Sequence, residues 1–270
     1  VGHLGCLDFC DADGCVYGSL EYKRDEVGRG ILRGLGDSRR LENAFYIARF
    51  DGAKITRPGM NAEADGVMTA VYLPEVVRDY CGRSSDGTAH IHGCSGIDGT
   101  AFGPAFGRRE DKLYLNVAYG VYGDNARRDN DYQVILSYDP DALAPYFAPL
   151  SQDAPHHNGP EHYAHKYFVY TGNTTYGVQN LEYDAYTGNW FMSVYPARPV
   201  RRGLGRVRLG LPARRYRPVR ARRRALLHLP PRLYAGGPAI QPRISLPLDR
   251  KRARAVRPRG KLTKKERSEP

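Results

Sequence analysis

The chain has 270 residues, enough for one large domain or two small ones, and 41 Lys and Arg against 29 Asp and Glu give it a formal net charge of +12. That charge conceals two different regions: residues 1–198 have 18 basic and 26 acidic side chains (18 − 26 = −8), whereas residues 199–270 have 23 and 3 (23 − 3 = +20). Five cysteines are too few for a disulfide scaffold, and no apolar run approaches the roughly 18 to 20 residues of a membrane-spanning helix, so we expect no membrane span.

The acidic region predicts short β-strands between turns rich in Gly, Asp and Asn, with little helical periodicity. The Asp13-Gly14 turn predicts a hairpin, because this dipeptide readily adopts the positive φ of a tight connection. In chain order, the first four predicted strands are residues 6–9, 16–22, 44–51 and 67–72. The sequence therefore favours an all-β fold.

The same order of strands then recurs in the sequence. A second set is predicted at residues 96–102, 113–119, 132–139 and 166–170, and a third begins at 178–183 and 190–195. The spacing is loose, because Phe9 to Phe102 is 93 residues and Phe102 to Tyr183 is 81. The third strands match best, since both end in an aromatic residue followed by an aspartate, Asp51 or Asp139.

A repeated four-stranded antiparallel unit is typical of β-propeller blades. With openings such as Asn180-Leu181-Glu182-Tyr183 and the turn Asp184 to Gly188, residues 3–195 resemble bacterial β-propeller repeat proteins of an uncharacterised family. The resemblance implies an incomplete propeller of about two and a half blades, with blades at 3–88 and 95–172 and an incomplete one at 176–198. It also favours a secreted or cell-surface location. A β-sandwich with irregular loops is the alternative.

The composition changes abruptly after residue 198. Residues 199–270 hold 19 Arg against 4 Lys and little apolar surface, so this Arg- and Pro-rich basic tail is predicted to be disordered. One interpretation is a nucleic-acid-binding arm, which would bind phosphates without sequence specificity. The interpretation that we favour is a frameshift, because Arg, Pro, Gly and Leu are typical of a GC-rich gene translated out of frame, and the change falls inside a predicted blade.

A cluster of histidines between residues 156 and 165 offers metal ligands. His157, Glu161, His162 and His165 are candidate Zn²⁺ ligands, although their spacing matches no known zinc motif, and an exposed polar loop is the simpler interpretation. His90 and His92 alternate on a predicted strand, where a hydrogen-bonded surface pair is favoured over a ligand pair.

Carboxylates near the strand openings form a second candidate site. The innermost strands of a propeller line its central channel, so Asp8, Asp98 and either Glu182 or Asn180 would converge there and bind Ca²⁺. The resemblance extends in this respect to calcium-dependent propeller hydrolases. The simpler interpretation is that these carboxylates cap loops or accept hydrogen bonds from nearby backbone amides.

These features lead to a ranked set of functional hypotheses. The first is a binding module that takes an unidentified ligand or protein partner on the loops of one face. The alternatives are a calcium-dependent hydrolase and a nucleic-acid-binding protein that acts through the basic tail. A non-enzymatic role is favoured, because no Ser-His-Asp or Cys-His set can be assigned from the sequence.

Overall fold

A computed structural model of the chain describes residues 2–39, 42–108, 111–120, 126–127, 129, 131–171 and 174–196, and the backbone of four short strands between 208 and 245. The described residues form three four-stranded antiparallel sheets and a few short helices. The predicted all-β class is therefore confirmed. These sheets do not close into a ring within the described residues.

Sheet 1 is a meander of strands β1 (His3–Cys10), β2 (Cys15–Tyr22), β3 (Ala44–Asp51) and β4 (Met68–Tyr72). β1 and β2 pair through the predicted tight turn, in which Gly14 has a φ of 69°. Between β2 and β3 lies helix α1 (Glu26–Leu35), whose first turn is capped by the Asp25 side chain and whose end is capped by Gly36 in the left-handed conformation.

Sheet 2 repeats this meander with β5 (Ile97–Pro104), β6 (Leu113–Tyr119), β7 (Tyr132–Tyr138) and β8 (His165–Tyr170). Helix α2 (Pro74–Cys81) and a 3-10 turn (Ile91–Gly93) lie in the connection from β4 to β5. The short helix α3 (Pro140–Leu143) follows β7 and is capped by Asp139. Proline at the first position of α2 and α3 suits a helix start, where a backbone N–H would have no helical partner.

The third sheet begins with β9 (Thr174–Asp184) and β10 (Asn189–Pro196). Within the basic tail are β11 (Arg208–Leu209), β12 (Arg220–Ala221), β13 (Arg224–Leu229) and β14 (Ile244–Ser245). Sheet 3 has the order β9-β10-β13-β12, whereas β11 and β14 form a separate two-stranded pair. Apart from these strands, the predicted disordered tail lies outside the described residues, and its disorder and its origin stay predictions.

Sheets 1, 2 and 3 stack face to face through two apolar layers. Phe45 and Ile47 of sheet 1 pack with Leu115 and Val134 of sheet 2, all fully buried. The opposite face of sheet 2 packs against sheet 3, where Trp190 is the largest buried side chain. Burying one large apolar side chain contributes about 1.5 to 3 kcal/mol, so these layers are the main stabilising feature of the stack.

The ten strands predicted in the three sets are observed at their expected positions, but the helices are not anticipated by the sequence patterns. α1 contains two glycines in its ten residues, and α2 has eight residues, so neither displays a long helical periodicity. The signal that was available for α1 is its pair of caps, Asp25 and Gly36.

Candidate functional site

Two long connections lie on one side of sheets 1 and 2. Because the strands are antiparallel, β2 and β4 run in the same direction and end at the same side of sheet 1. The connection from β2 to β3 (residues 23–43) and that from β4 to β5 (residues 73–96) therefore both begin on that side. Contacts between Glu21 and Ile97 place the start of β5 on this side as well. We call this side the connection face. It carries α1, α2 and the turn at Ile91–Gly93.

A cleft with a volume of about 330 Å³ opens on the connection face at the end of α2. Its volume is at the lower end of the range for small-molecule sites. It is lined by Tyr80 and Cys81 at the end of α2, by Arg83 and His90 from the following loop, and by Arg24, Asp25 and Asn43 from the connection between β2 and β3.

The loop that carries His90 has a strained backbone. His90 and His92 have φ values of 67° and 53°, which side chains other than glycine rarely adopt. The predicted strand at these histidines is therefore wrong, because the chain turns sharply here and the two side chains do not alternate on a sheet.

Arg127 holds this loop in place from the connection between β6 and β7. Its guanidinium donates to the carbonyl oxygens of Ala89, at 2.6 Å, and His90, at 2.8 Å, and it also pairs with Asp129 at 2.7 Å. The Arg127 side chain is only 6% exposed, so these bonds form in a region of reduced solvent screening. Hydrogen bonds from Arg127, in the connection between β6 and β7, thus stabilise the strained conformation at His90.

The hydrogen bonds of the cleft define which groups can bind a ligand. The Nδ1 atom of His90 lies 2.5 Å from the Tyr80 carbonyl oxygen, which accepts only, so Nδ1 carries the hydrogen and Nε2 is the acceptor in the neutral ring. The Asn43 amide donates to the sulfur of Cys81 at 3.8 Å. Two arginines, an asparagine and a histidine line the hollow together with one carboxylate, that of Asp25. The arginines outnumber the carboxylate, a combination that suits a ligand with anionic oxygen atoms.

A buried ionic cluster anchors α2 below the cleft. Lys166 of β8 donates to Glu75 at 2.8 Å and to Asp79 at 2.7 Å, and Tyr119 also donates to Asp79. Burial lowers the pKa of Lys166, but hydrogen bonds to the two carboxylates outweigh that effect, and the net pKa is raised. The cluster positions α2, and with it the Tyr80 and Cys81 side of the cleft.

A second group of ionisable side chains lies where β1, β2 and β5 meet. Glu21 accepts from Lys23 at 2.6 Å and from the Ile97 backbone at 3.0 Å, and both charged side chains are almost fully buried. Ligand atoms of His3, Glu21 and Asp98 all lie within 4.8 Å of one another. Among the residues that the structure describes, this is the one such group of three.

The predicted calcium ligands are divided between two places. Asp98 belongs to the group with His3 and Glu21, whereas Asp8 accepts from the Phe102 backbone at 2.6 Å. Burial raises the pKa of Glu182, and the negative charge of Asp8 adds to this effect. Asp8, Asp98 and Glu182 do not form a three-ligand group in the described structure.

The predicted zinc ligands are also dispersed. His157 pairs with Glu42 at 3.0 Å, and the ring of His165 packs on the rings of Tyr114 and Tyr167. All four predicted ligands lie in the described ranges, but they do not bring three ligand atoms close enough to hold one metal ion: His157, Glu161, His162 and His165.

The sequence patterns indicated His90 as one of a surface pair, but they did not predict the cleft or its other residues. Arg24 and Asn43 come from one connection and Arg83 and His90 from another, and no short motif links them. The capping signals of α1 would have predicted a helix next to Asp25, which covers only one side of the cleft.

Comparisons with known proteins give no identity: no family model, curated protein or solved structure matches the chain. Within the described parts of the chain, no helix has both the length and the apolar character needed to cross a bilayer.

Proposed function

We propose that this chain is a propeller-like β-repeat protein that acts as a binding module and takes a small anionic ligand in the cleft on the connection face. The observation that carries the proposal is the meeting of Arg24, Arg83, Asn43 and His90 around one hollow. Function is argued from this site, because propeller-like architectures host many unrelated activities.

The architecture supports a module of this kind. Three meander sheets stack so that sheet 2 is covered on both faces, as blades in a propeller are. The connections on the connection face are long, and those from β2 to β3 and from β4 to β5 contain α1 and α2. Long loops on a rigid β scaffold are a common location for ligand-binding residues.

The charges of the cleft support an anionic ligand. Arg24 and Arg83 contribute two positive charges against one negative charge from Asp25, which also lines the cleft and accepts from Gly28 at the start of α1. A guanidinium group recognises carboxylate or phosphate oxygen atoms through paired hydrogen bonds. The rings of Tyr80 and His90 pack against each other beside these charges, with their centroids 4.6 Å apart and their planes tilted by 50°.

The two alternative functions from the sequence stay predictions. A calcium-dependent hydrolase rests on Asp8, Asp98 and Glu182, and nucleic-acid binding rests on the basic tail. The described residues provide no observation that favours either one over ligand binding in the cleft.

Cys81 provides a direct test, because it is the one exposed cysteine of the chain's five and it lines the cleft. The rate at which N-ethylmaleimide labels Cys81 is measured by peptide mass spectrometry with inorganic phosphate, benzoate or uncharged benzamide present. We expect phosphate or benzoate to slow the labelling several-fold and benzamide to have no effect.

Two variants make this test specific. Arg83→Gln is expected to abolish the protection, whereas Arg57→Gln, which alters an arginine paired with Asp65 in a separate loop, keeps it. Equal labelling rates with and without both anions would overturn the proposal. Equal protection by benzoate and benzamide would overturn the role of charge in it.

A further inference from the structure

A small space beside Gly5 brings two oxygen atoms together. A Cβ atom at Gly5 would lie 2.5 Å from Ser19 Oγ and 3.3 Å from Asp98 Oδ1, so the missing side chain leaves room between them. Ser19 is fully buried, and its hydroxyl has no hydrogen-bond partner. A buried polar group without a partner lowers the free energy of unfolding by about 1 to 3 kcal/mol. A bound ligand in this space would give the Ser19 hydroxyl a partner.

The donor atoms around this space match those of a metal site. His3 contributes an imidazole nitrogen, and Glu21 and Asp98 contribute carboxylate oxygens, all within 4.8 Å of one another. In a tetrahedral site, metal–ligand bonds of about 2.0 to 2.2 Å place the ligand atoms about 3.3 to 3.6 Å apart. His3 Nδ1 and Glu21 Oε1 already lie 3.4 Å apart, and the rest of the group moves closer when the ion binds. Asp98 Oδ2 lies 3.4 Å from the amide of Gln179, which helps to orient this carboxylate.

The charge balance allows a cation to enter. Lys23 is 2.6 Å from Glu21 and provides one positive charge against the two carboxylates of Glu21 and Asp98. Its ammonium group also lies 3.1 Å from the Ser95 carbonyl oxygen and 3.7 Å from Asp25. If the Glu21 carboxylate rotates to bind a metal ion, Lys23 therefore still contacts Ser95 and Asp25.

We propose that His3, Glu21 and Asp98 bind one Zn²⁺ ion, with Ser19 Oγ facing the same space. One imidazole and two carboxylates form a donor set that suits zinc, whereas Ca²⁺ prefers six to eight oxygen ligands. The site ties the first strand of sheet 1 to the first strand of sheet 2. It shares no residue with the anion-binding cleft, so the two proposals can fail independently.

The test is zinc binding to the full chain after removal of metal with a chelator. We expect calorimetry to show one tight Zn²⁺ site and thermal unfolding to shift upward with Zn²⁺ and not with Ca²⁺. Asp98→Asn and His3→Gln keep the size of each side chain, and each is expected to lose the bound zinc and the thermal shift. Circular dichroism of the metal-free variants checks that they fold.

Two control variants separate this site from other zinc ligands. Asp8→Asn lies on the same strand as His3, and His165→Gln removes a member of the other histidine cluster, so both are expected to keep the full zinc content. Absence of tight Zn²⁺ binding to the parent chain would overturn the proposal. Loss of zinc in His165→Gln, or its retention in folded Asp98→Asn, would overturn it equally.

Discussion

Gly96 shows how a single residue controls the junction of sheets 1 and 2. Its φ of 130° lies in a region that L side chains rarely adopt, and a Cβ atom there would overlap the carboxylate of Glu21. That carboxylate accepts from the neighbouring Ile97 backbone and from Lys23. The glycine therefore permits the close approach on which the buried charges depend.

Replacing Gly96 by alanine is expected to lower the free energy of unfolding by about 2 to 4 kcal/mol, because backbone strain adds to the overlap with Glu21. The matched control is Gly30→Ala in α1, where a Cβ atom would meet nothing within 4 Å. That change is expected to raise the stability by about 0.5 to 1 kcal/mol, because alanine favours a helix. Urea unfolding followed by circular dichroism measures both, and equal effects would contradict this interpretation.

The pKa of His92 also depends on its immediate surroundings. Burial lowers the pKa of His92, while the charge of Asp79 opposes this and that of Lys166 adds to it. The ring of His92 packs on Phe168 at 4.8 Å. A neutral imidazole is therefore the favoured form in this strained turn.

At the scale of elements, helix α2 depends on strand β8. Lys166 of β8 contacts both Glu75 and Asp79, and these two carboxylates lie one turn apart on α2. The exposed Arg78 also pairs with Glu75, so the cluster is nearly neutral as a whole. The helix is thus attached to sheet 2 by charge as well as by apolar packing.

Lys166→Met is expected to lower the free energy of unfolding by about 3 to 5 kcal/mol, because two buried carboxylates lose their shared cation. Adding Glu75→Gln and Asp79→Asn to this variant is expected to restore most of the loss, which separates charge from packing. Lys112→Met, at an exposed ion pair with Asp139, serves as the control and should leave the urea midpoint unchanged. A small effect of Lys166→Met would mean that the cluster does not anchor α2.

At the scale of the whole molecule, the outer face of sheet 1 is covered only in part. Residues 148–158 lie along β4, where Ala70 pairs with Ala148. Leu150 packs with Leu20 and Tyr46 in a third apolar cluster, on the face of sheet 1 that points away from sheet 2. Strand β1 lies beyond this cover, and Leu4, Leu7 and Phe9 are exposed by 41%, 51% and 53%. An apolar stripe on an edge strand favours self-association.

Phe9→Lys is therefore expected to reduce aggregation on heating, measured by light scattering, without a change in the urea midpoint. Leu113→Lys is the control, because Leu113 is 49% exposed at the start of β6, away from the stripe on β1. Equal scattering by the two variants would show that the stripe on β1 has no special role in association.

Much of the fold could be predicted from local patterns. Alternating apolar residues and the Asp13-Gly14 turn predict β1 and β2 correctly, because strand formation and tight turns depend on neighbours in sequence. The candidate sites could not be predicted in the same way. The proposed metal ligands His3, Glu21 and Asp98 are separated by up to 95 residues (98 − 3 = 95), so no spacing rule connects them.

The sequence by itself determined the all-β class, the positions of the strands and the contrast between an acidic region and a basic tail. These properties depend on composition and on side-chain period, which are local. The tertiary structure alone decided that Asp98 lies with His3 and Glu21 and not with Asp8, and that Arg24 and Arg83 line one cleft. The physical reason is that strand pairing, stacking of the sheets and folding of the connections bring distant residues together, and all three depend on packing of the chain.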